Sequence, residues 1–459
     1  MYKEIKIEKF INLQREFFLS KATLDIDFRI DQLRKLQRIL HKNEALLDKA
    51  VFSDFGKSSF ENYETELAFI YHEIDTTCRN LKKWAKVKRV YTNISNLPGR
   101  SYIIPEPLGV SLVIGAWNYP YQLSLCPAIS AIAAGNTVIL KPSELSAETS
   151  RIISKLINEN FDSNFFKVVE GGVEETTALL AQKFDKIFFT GSTTVGKIVY
   201  QAAAKNLTPV TLELGGKSPA ILDETCNLKI SVKRLVWAKF INSGQTCIAP
   251  DYVFVHGSIK DQFLKQVSLE IKKSKYAVAN SNYVQIINKK NMERLINFID
   301  KDKVFLGGDF DMNKRHISPT VMVDVDLDDA VMQEEIFGPI MPVLEYENIE
   351  DVILKIKSKP KPLACYVFTG SKKNKWKILN EISFGGGSVN DAVMHISNSR
   401  LPFGGVGDSG TGAYHGKYGF KAFSHFKSVL EKPTWIEPNL KYYPLTGLKL
   451  KLIKFVFKF

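Results

Sequence analysis

Cysteine is scarce and shows no paired pattern. The chain has five in 459 residues, at Cys78, Cys126, Cys226, Cys247 and Cys365, an odd number without a C-x-x-C among them. This excludes a disulfide framework and predicts reduced thiols in a cytoplasmic protein. The seven histidines (His41, His72, His256, His316, His395, His415, His425) include no i, i+4 pair and stand apart from the cysteines, so no metal site is expected. No uninterrupted hydrophobic run is long enough to cross a membrane. Residues 107–140 lack charge, yet Asn118, Pro120, Pro127, Asn136 and interspersed glycines divide them into pieces shorter than the roughly 20 residues a spanning helix needs. The opening MYKEIKIEKF mixes both charge signs and lacks an apolar core, so no secretory signal is expected. Acidic residues are absent after Glu437, where Lys441, Lys449, Lys451, Lys454 and Lys458 follow, so part of the net charge of +13 is local.

What is present is globular: 45% hydrophobic and 24% charged residues, over a length that suggests two to four domains. Up to about residue 86 the pattern is helical, with Tyr63, Leu67, Ile70, Ile74, Cys78, Leu81 and Trp84 recurring every three or four positions. From residue 108 short apolar runs (GVSLVIG, NTVILKP, FFKVVEGG, KIFFTGS, PVTLELGG) alternate with amphipathic stretches. This is βαβ alternation and predicts a parallel sheet covered on both faces, with ligands at the carboxyl ends of its strands. A second α/β series begins near Leu214, with DYVFVHG, HISPTVMVDV, IMPVLEYE and LACYVFTG as its strands. Residues 88–105 read as an exposed hairpin and residues 419–431 as another extended element, either suited to pairing with a second subunit.

Several short stretches carry chemistry. Cys247, in NSGQTCIAP after a helical run, reads as an activated thiol in a loop rich in backbone N–H groups, or as a buried small hydrophobe. Glu213 ends an apolar strand before a Gly-Gly turn, where desolvation would raise its pKa and suit it to general base work; a salt bridge at a domain boundary is the alternative. Asn118, in GAWNYP, is placed either to donate to an oxyanion or to cap the following helix. Lys141 and Glu144, in KPSE after a strand, lie where a dinucleotide's ribose or phosphate would rest, or are merely solvated. Gly191, Ser192 and Gly196, in FTGSTTVGK, open a helix whose N-terminus could face a pyrophosphate, although the stretch is not a G-x-G-x-x-G.

Taken together and in order, TLELGGKSP, NSGQTCIAP, GAWNYP, KPSE, FTGSTTVGK, EEIFGP and PFGGVGDSGTG resemble the aldehyde dehydrogenase superfamily across essentially the whole chain. YHGKYGF with FSHFKSVL resembles its class 3 branch, which includes fatty aldehyde dehydrogenases. The resemblance implies an α/β fold with a Rossmann-type parallel-sheet cofactor domain (1–87 and 106–212), a second α/β catalytic domain (213–418), a small β oligomerisation element (88–105 and 419–436) and a basic apolar tail (437–459). It implies Cys247 as nucleophile, Glu213 as general base, and Asn118 with the Cys247 backbone N–H as oxyanion donors. Lys141 and Glu144 would hold the adenosine ribose, Glu335 the nicotinamide ribose, and Phe337 and Phe403 would border the nicotinamide. NAD is the expected cofactor with NADP as the alternative, the substrate a medium- to long-chain aliphatic or aromatic aldehyde, and the assembly a homodimer.

The sequence admits three other readings. A coenzyme A-acylating enzyme of the same superfamily is disfavoured by Glu213, since hydrolysis is what needs a water-activating base. The +13 charge suggests a nucleic-acid or membrane-surface binder, but no basic motif exists outside the tail; for the tail, weak contact with a membrane surface and ordinary docking are equally open. Gly407-Asp408-Ser409-Gly410 spells a serine-protease-like GDSG, which the βα order and the lack of triad partners set aside.

Overall fold

The computed structural model describes residues 2–277 and 281–457; Lys458 of the basic tail lies outside them. Two sheets carry the architecture. The first has six strands in the order Gly410–Thr411, Val210–Glu213, Lys186–Thr190, Val110–Ile114, Thr137–Lys141, Phe166–Val168. The last five run parallel. Strands 110–114, 137–141 and 186–190 are buried along their whole length, which requires cover on both faces. Helix Pro120–Ala134 supplies part of it, every residue being buried. Pro120 pre-sets its first turn, and Gly135 at φ +96° ends it.

From strand 110–114 the chain steps outward to 137–141 and 166–168, then returns to 186–190 on the other side of 110–114. The loops after Ile114 and Thr190 therefore diverge, leaving a crevice at a topological switch point. The predicted apolar stripe of the N-terminal helices is buried at Leu67, Ile70, Ile74 and Leu81. Tyr63, expected on the same stripe, is 50% exposed. Residues Tyr63–Leu67 form a π-helical turn, whose wider circuit rotates Tyr63 off that face.

The second sheet has seven strands in the order Val304–Leu306, Thr320–Met322, Ile340–Tyr346, Tyr252–His256, Pro219–Leu222, Ala364–Phe368, Gly386–Val389. All neighbours are parallel except the 304–306 edge. Three of its strands escape sequence reading: 219–222 is short and opens on a proline, 304–306 is only three residues long, and 386–389 is GGSV, with almost no apolar signal. HISPTVMVDV, read as one strand, is two. His316–Ile317 joins a ribbon with Phe310–Asp311, and Thr320–Met322 joins the sheet, because Pro319 cannot donate to a ladder.

The third sheet has three strands, Lys88–Val90, Arg100–Pro107 and Ser424–Glu431, antiparallel throughout. The expected extended element at 419–431 starts later than read, because helix Gly416–Ala422 takes its first residues. Among the described residues no helix is long and apolar enough to cross a membrane.

Candidate active site

Cys247 follows a backbone held in an uncommon shape. After helix Leu228–Phe240, Asn242 (φ +52°), Ser243 (φ +51°) and Gly244 (φ +71°) are all left-handed. Two non-glycine residues in that region cost about 1–3 kcal/mol each and persist only where neighbours over-determine them. Here they do. Asn242 N–H donates to Glu61 Oε1 (2.8 Å), Asn242 Nδ2 donates to the carbonyls of Asn118 and Gln245 (3.0 Å each), and Ser243 Oγ donates to the Val284 carbonyl (2.5 Å). Gln245 Nε2 donates to the Asn242 and Gln285 carbonyls (3.1 Å each), while its Oε1 accepts from Ile287 N–H (3.0 Å).

This loop delivers Cys247 to a cavity of about 250 Å³ that Glu213 lines from the other side. Phe69, Leu123, Trp237, Val393, Phe403 and Tyr414 make most of the rest apolar. Burial, with the charges of Glu335 and Glu213, raises the Cys247 thiol well above an ordinary cysteine, while the backbone N–H groups of Cys247 and Ile248 at its sulfur pull the other way. Burial likewise raises Glu213 well above an ordinary carboxylate. Both Glu213 oxygens are buried without a hydrogen-bond partner. Strand Gly410–Thr411 presses directly on this residue, Gly410 pairing with Glu213 at φ +147°. A Cβ on Gly410 would stand 2.2 Å from the Leu212 carbonyl oxygen, so the second half of the GDSG stretch packs closely against strand 210–213. Its Ser409 is buried and bonded back to Val406.

Asn118 is 2% exposed, and its Nδ2 donates to the Gln245 carbonyl at 3.1 Å, two residues before Cys247. Its own carbonyl accepts from Asn242 Nδ2 and from Lys57 Nζ. The adjoining Tyr119 hydroxyl is 2.6 Å from Thr246 Oγ1. Three segments distant in sequence thus meet at the cavity: the turn after strand 110–114, the end of strand 210–213 and the Cys247 loop.

The other candidates lie around the crevice. Lys141, 2% exposed at the end of strand 137–141, donates to Glu144 Oε2 (2.8 Å) and to the Pro142 carbonyl (3.0 Å). The half-exposed Glu144 is held below the ordinary carboxylate range by Lys141 against the opposing effect of burial. Ser192 caps helix Thr193–Ala204, accepting from Val195 N–H. A Cβ on Gly196 would lie 2.6 Å from the Leu214 side chain, so this glycine lets the helix sit against the strand. Gly191 N–H donates to the Glu213 carbonyl at 3.0 Å. Glu335 packs on Gly215, where a Cβ would be 1.9 Å from its Oε2; burial and the charge of Asp251 push its carboxyl up to about 8. Phe337, itself at φ +50°, sets its ring edge-on to Trp117 beside Asn118, with centroids 5.4 Å apart. Phe403 lines the Cys247 cavity and stacks on His415 (5.3 Å), whose imidazole is pushed down to about 3 by burial and by His395.

These groups fit a dinucleotide: a half-exposed carboxylate for hydroxyls, an open helix N-terminus for phosphate, and a glycine-backed carboxylate near the thiol. Residues 2–429 match the Aldehyde dehydrogenase family. The chain belongs to the aldehyde dehydrogenase family. It is thereby an oxidoreductase that acts on the aldehyde group with NAD or NADP as hydride acceptor. It is 46% identical over 448 residues to a 4,4'-diaponeurosporen-aldehyde dehydrogenase of Staphylococcus aureus, covering 97% of each chain. It is 47% identical over 420 residues to a dimeric NADP-preferring aldehyde dehydrogenase of Rattus norvegicus, covering 91% of this chain and 93% of that one. A solved structure of the substrate-bound state of Staphylococcus aureus AldH superposes with a TM-score of 0.95 at 45% identity, covering 98% of this chain and 99% of that one. The aldehyde dehydrogenase fold is therefore present throughout the matched chain.

Residues that sequence reasoning missed line or brace the same site: Tyr414, Trp237 and Phe69 in the cavity wall, and Lys57, Glu61 and Glu66 behind Asn118 and the Cys247 loop. The aromatic residues come from three distant segments and share no motif. The charged ones stand in or beside a stretch read only as helical, where no motif marks them.

Proposed function

We propose that Cys247 is the nucleophile and Glu213 the general base of a covalent aldehyde oxidation, with Asn118 Nδ2 and the Cys247 N–H holding the oxyanion. The observation that carries this reading is the shared cavity: a thiol and a partnerless buried carboxyl facing one apolar space. The Cys247 sulfur adds to the aldehyde carbon as the thiol proton passes to the Glu213 carboxylate and on to solvent, while the carbonyl oxygen takes the electron pair and is stabilised by fixed donors. When bound, a nicotinamide dinucleotide would supply the hydride acceptor for oxidation of this adduct to a thioester. Glu213 then takes a proton from water as the water oxygen attacks the thioester carbon and passes it to the departing sulfur; the carbon–sulfur bond breaks, releasing the acid and restoring both the thiol and the carboxylate. Hydrolysis rather than transfer to coenzyme A follows from that base. Lys141, Glu144, Ser192 and Glu335 would hold the dinucleotide. The Cys247→Ala variant should lose aldehyde-dependent NADH or NADPH formation and keep its affinity for the dinucleotide; a normal rate from the alanine variant would refute the covalent route.

The substrate we assign is a medium- to long-chain aliphatic or aromatic aldehyde, because the cavity wall is mostly apolar and offers few partners to a polar substrate. The Staphylococcus aureus relative is named for a diaponeurosporen aldehyde, which agrees with this assignment. A kcat/KM that falls steadily as the aldehyde lengthens would overturn it. We also assign residues 1–87 with 106–212 to dinucleotide binding and 213–418 to catalysis. The third sheet we assign to pairing of two copies, and the tail to contact with an anionic membrane surface.

A further inference from the structure

The segment from Gly56 to Leu67 turns three charged side chains inward, away from the solvent that its composition would suggest. Gly56, at φ +71°, ends helix Glu44–Phe55 and redirects the chain, so that Lys57 enters the core with no exposed surface. Lys57 Nζ lies 2.7 Å from Glu66 Oε1, both side chains fully buried, 3.3 Å from the Asn118 carbonyl oxygen and 4.4 Å from the Tyr119 ring centroid. The π-helical turn Tyr63–Leu67 presents Glu66, whose Oε2 accepts from the N–H groups of Tyr121 (2.7 Å) and Gln122 (3.3 Å). The ion pair therefore grips the Asn118 turn on two sides, at its carbonyl and at the first N–H groups of the helix that follows. Glu61, one turn earlier, accepts from Asn242 N–H in the strained loop before Cys247.

We propose that Lys57, paired with Glu66, is a positioning residue that fixes the Asn118 turn so that the Asn118 amide donates to the oxyanion formed at Cys247. This rests on the oxyanion role assigned to Asn118 above. A buried ion pair adds little net stability compared with apolar residues of the same volume, so stability alone gives no reason for one here. Its geometry gives one. The carbonyl of Asn118 has two fixed donors, Lys57 Nζ and Asn242 Nδ2, and one amide N–H is fixed on the Gln245 carbonyl, which leaves the second amide N–H with a set direction. Displacing an oxyanion donor by a fraction of an ångström removes much of its effect on the transition state and little of its effect on ground-state binding.

The test is a double-mutant cycle on the full chain, using an aliphatic aldehyde and NAD. Asn118→Ala should lower kcat by about 10²- to 10³-fold, as loss of one preorganised donor does. Lys57→Met should lower kcat by at least about tenfold and leave both KM values within about threefold, the signature of an interaction made in the transition state. The double variant should be no slower than Asn118→Ala by more than about twofold, because the lysine acts only through that amide. Should Lys57→Met not fold, Glu66→Gln runs the same cycle, since it keeps an acceptor for Tyr121 N–H and removes only the charge facing Lys57. Effects that multiply in the double variant would overturn the positioning role while leaving the oxyanion reading intact. An Asn118→Ala enzyme of normal turnover would sink the oxyanion reading and this proposal with it.

Discussion

A buried carboxyl with neither oxygen hydrogen-bonded, as Glu213 has, costs a fold about 1–3 kcal/mol relative to a satisfied one. Such a group is a candidate for chemistry rather than for stability, and burial raises its pKa in the direction that makes a stronger base. The sign of the pH dependence follows. Water is activated only by the carboxylate, so thioester hydrolysis should rise with pH through a limb set above the ordinary carboxylate value, and Glu213→Gln should abolish that limb. In the glutamine variant a burst of reduced cofactor should precede a steady state about 10²- to 10⁴-fold slower, because acylation still proceeds. Equal slowing of burst and steady state would remove Glu213 from deacylation. Glu213, Cys247 and Asn118 were legible in the sequence because each adjoins a turn punctuated by glycine or proline, Glu213 at the strand end before one and the other two within one. Lys57 and Glu66 were not, because nothing in the sequence of a helix junction and the helix after it distinguishes a buried ion pair from two solvated charges.

At the scale of elements, continuous apolar runs located the central strands of the first sheet, which are buried along their whole length, and a three-to-four-residue apolar period located the N-terminal helices, which bury one face. Both signals failed where a strand is short or glycine-rich, as at 219–222 and 386–389, and where a π-helical turn changes the period. The tail helix Gly447–Val456 presents the opposite case, an apolar pattern without a core to enter. Leu448 (69%), Leu452 (44%) and Phe455 (65%) stand exposed at i, i+4 and i+7, so they share one face, with Lys451 and Lys454 exposed on its flank. Lys449 is engaged otherwise, donating to the carbonyls of Tyr442 and Pro444. An interfacial helix of this kind gains from apolar burial and from about 1 kcal/mol per lysine near anionic lipid. The chain should therefore co-sediment with phosphatidylserine-containing vesicles at low salt, less so at high salt. A chain ending at residue 437 should stay in the supernatant with its activity retained. Sedimentation unchanged by the truncation would exclude the tail as the contact.

At the scale of the whole molecule, the third sheet is the part that the single chain leaves unfinished. Strand Ser424–Glu431 pairs with Arg100–Pro107 along eight positions and lies at the sheet edge, where its other side has no partner strand among the described residues. Alternation puts Phe426, Ser428 and Leu430 on one face, opposite Pro105, Ile103 and Ser101, and Phe426 and Leu430 are 38% and 46% exposed. A long edge with apolar side chains invites uncontrolled association unless something covers it, and a second copy related by a two-fold axis covers it while closing the assembly. The rat relative, matched over 91% of this chain, is named as dimeric. Sedimentation equilibrium at micromolar concentration should give twice the chain mass. Phe426→Asp with Leu430→Asp places like charges in the self-facing patch and should give the single-chain mass with unchanged circular dichroism, because neither side chain is buried within its own subunit. A wild-type monomer, or a doubly substituted chain that still sediments as a dimer, would assign the contact elsewhere. The outcome also bears on catalysis. The strand follows directly from helix Gly416–Ala422, where a Cβ on Gly419 would lie 2.2 Å from Ser130 Oγ of the buried helix Pro120–Ala134. That helix begins two residues after Asn118, so the edge strand and the Asn118 turn are joined through two packed helices.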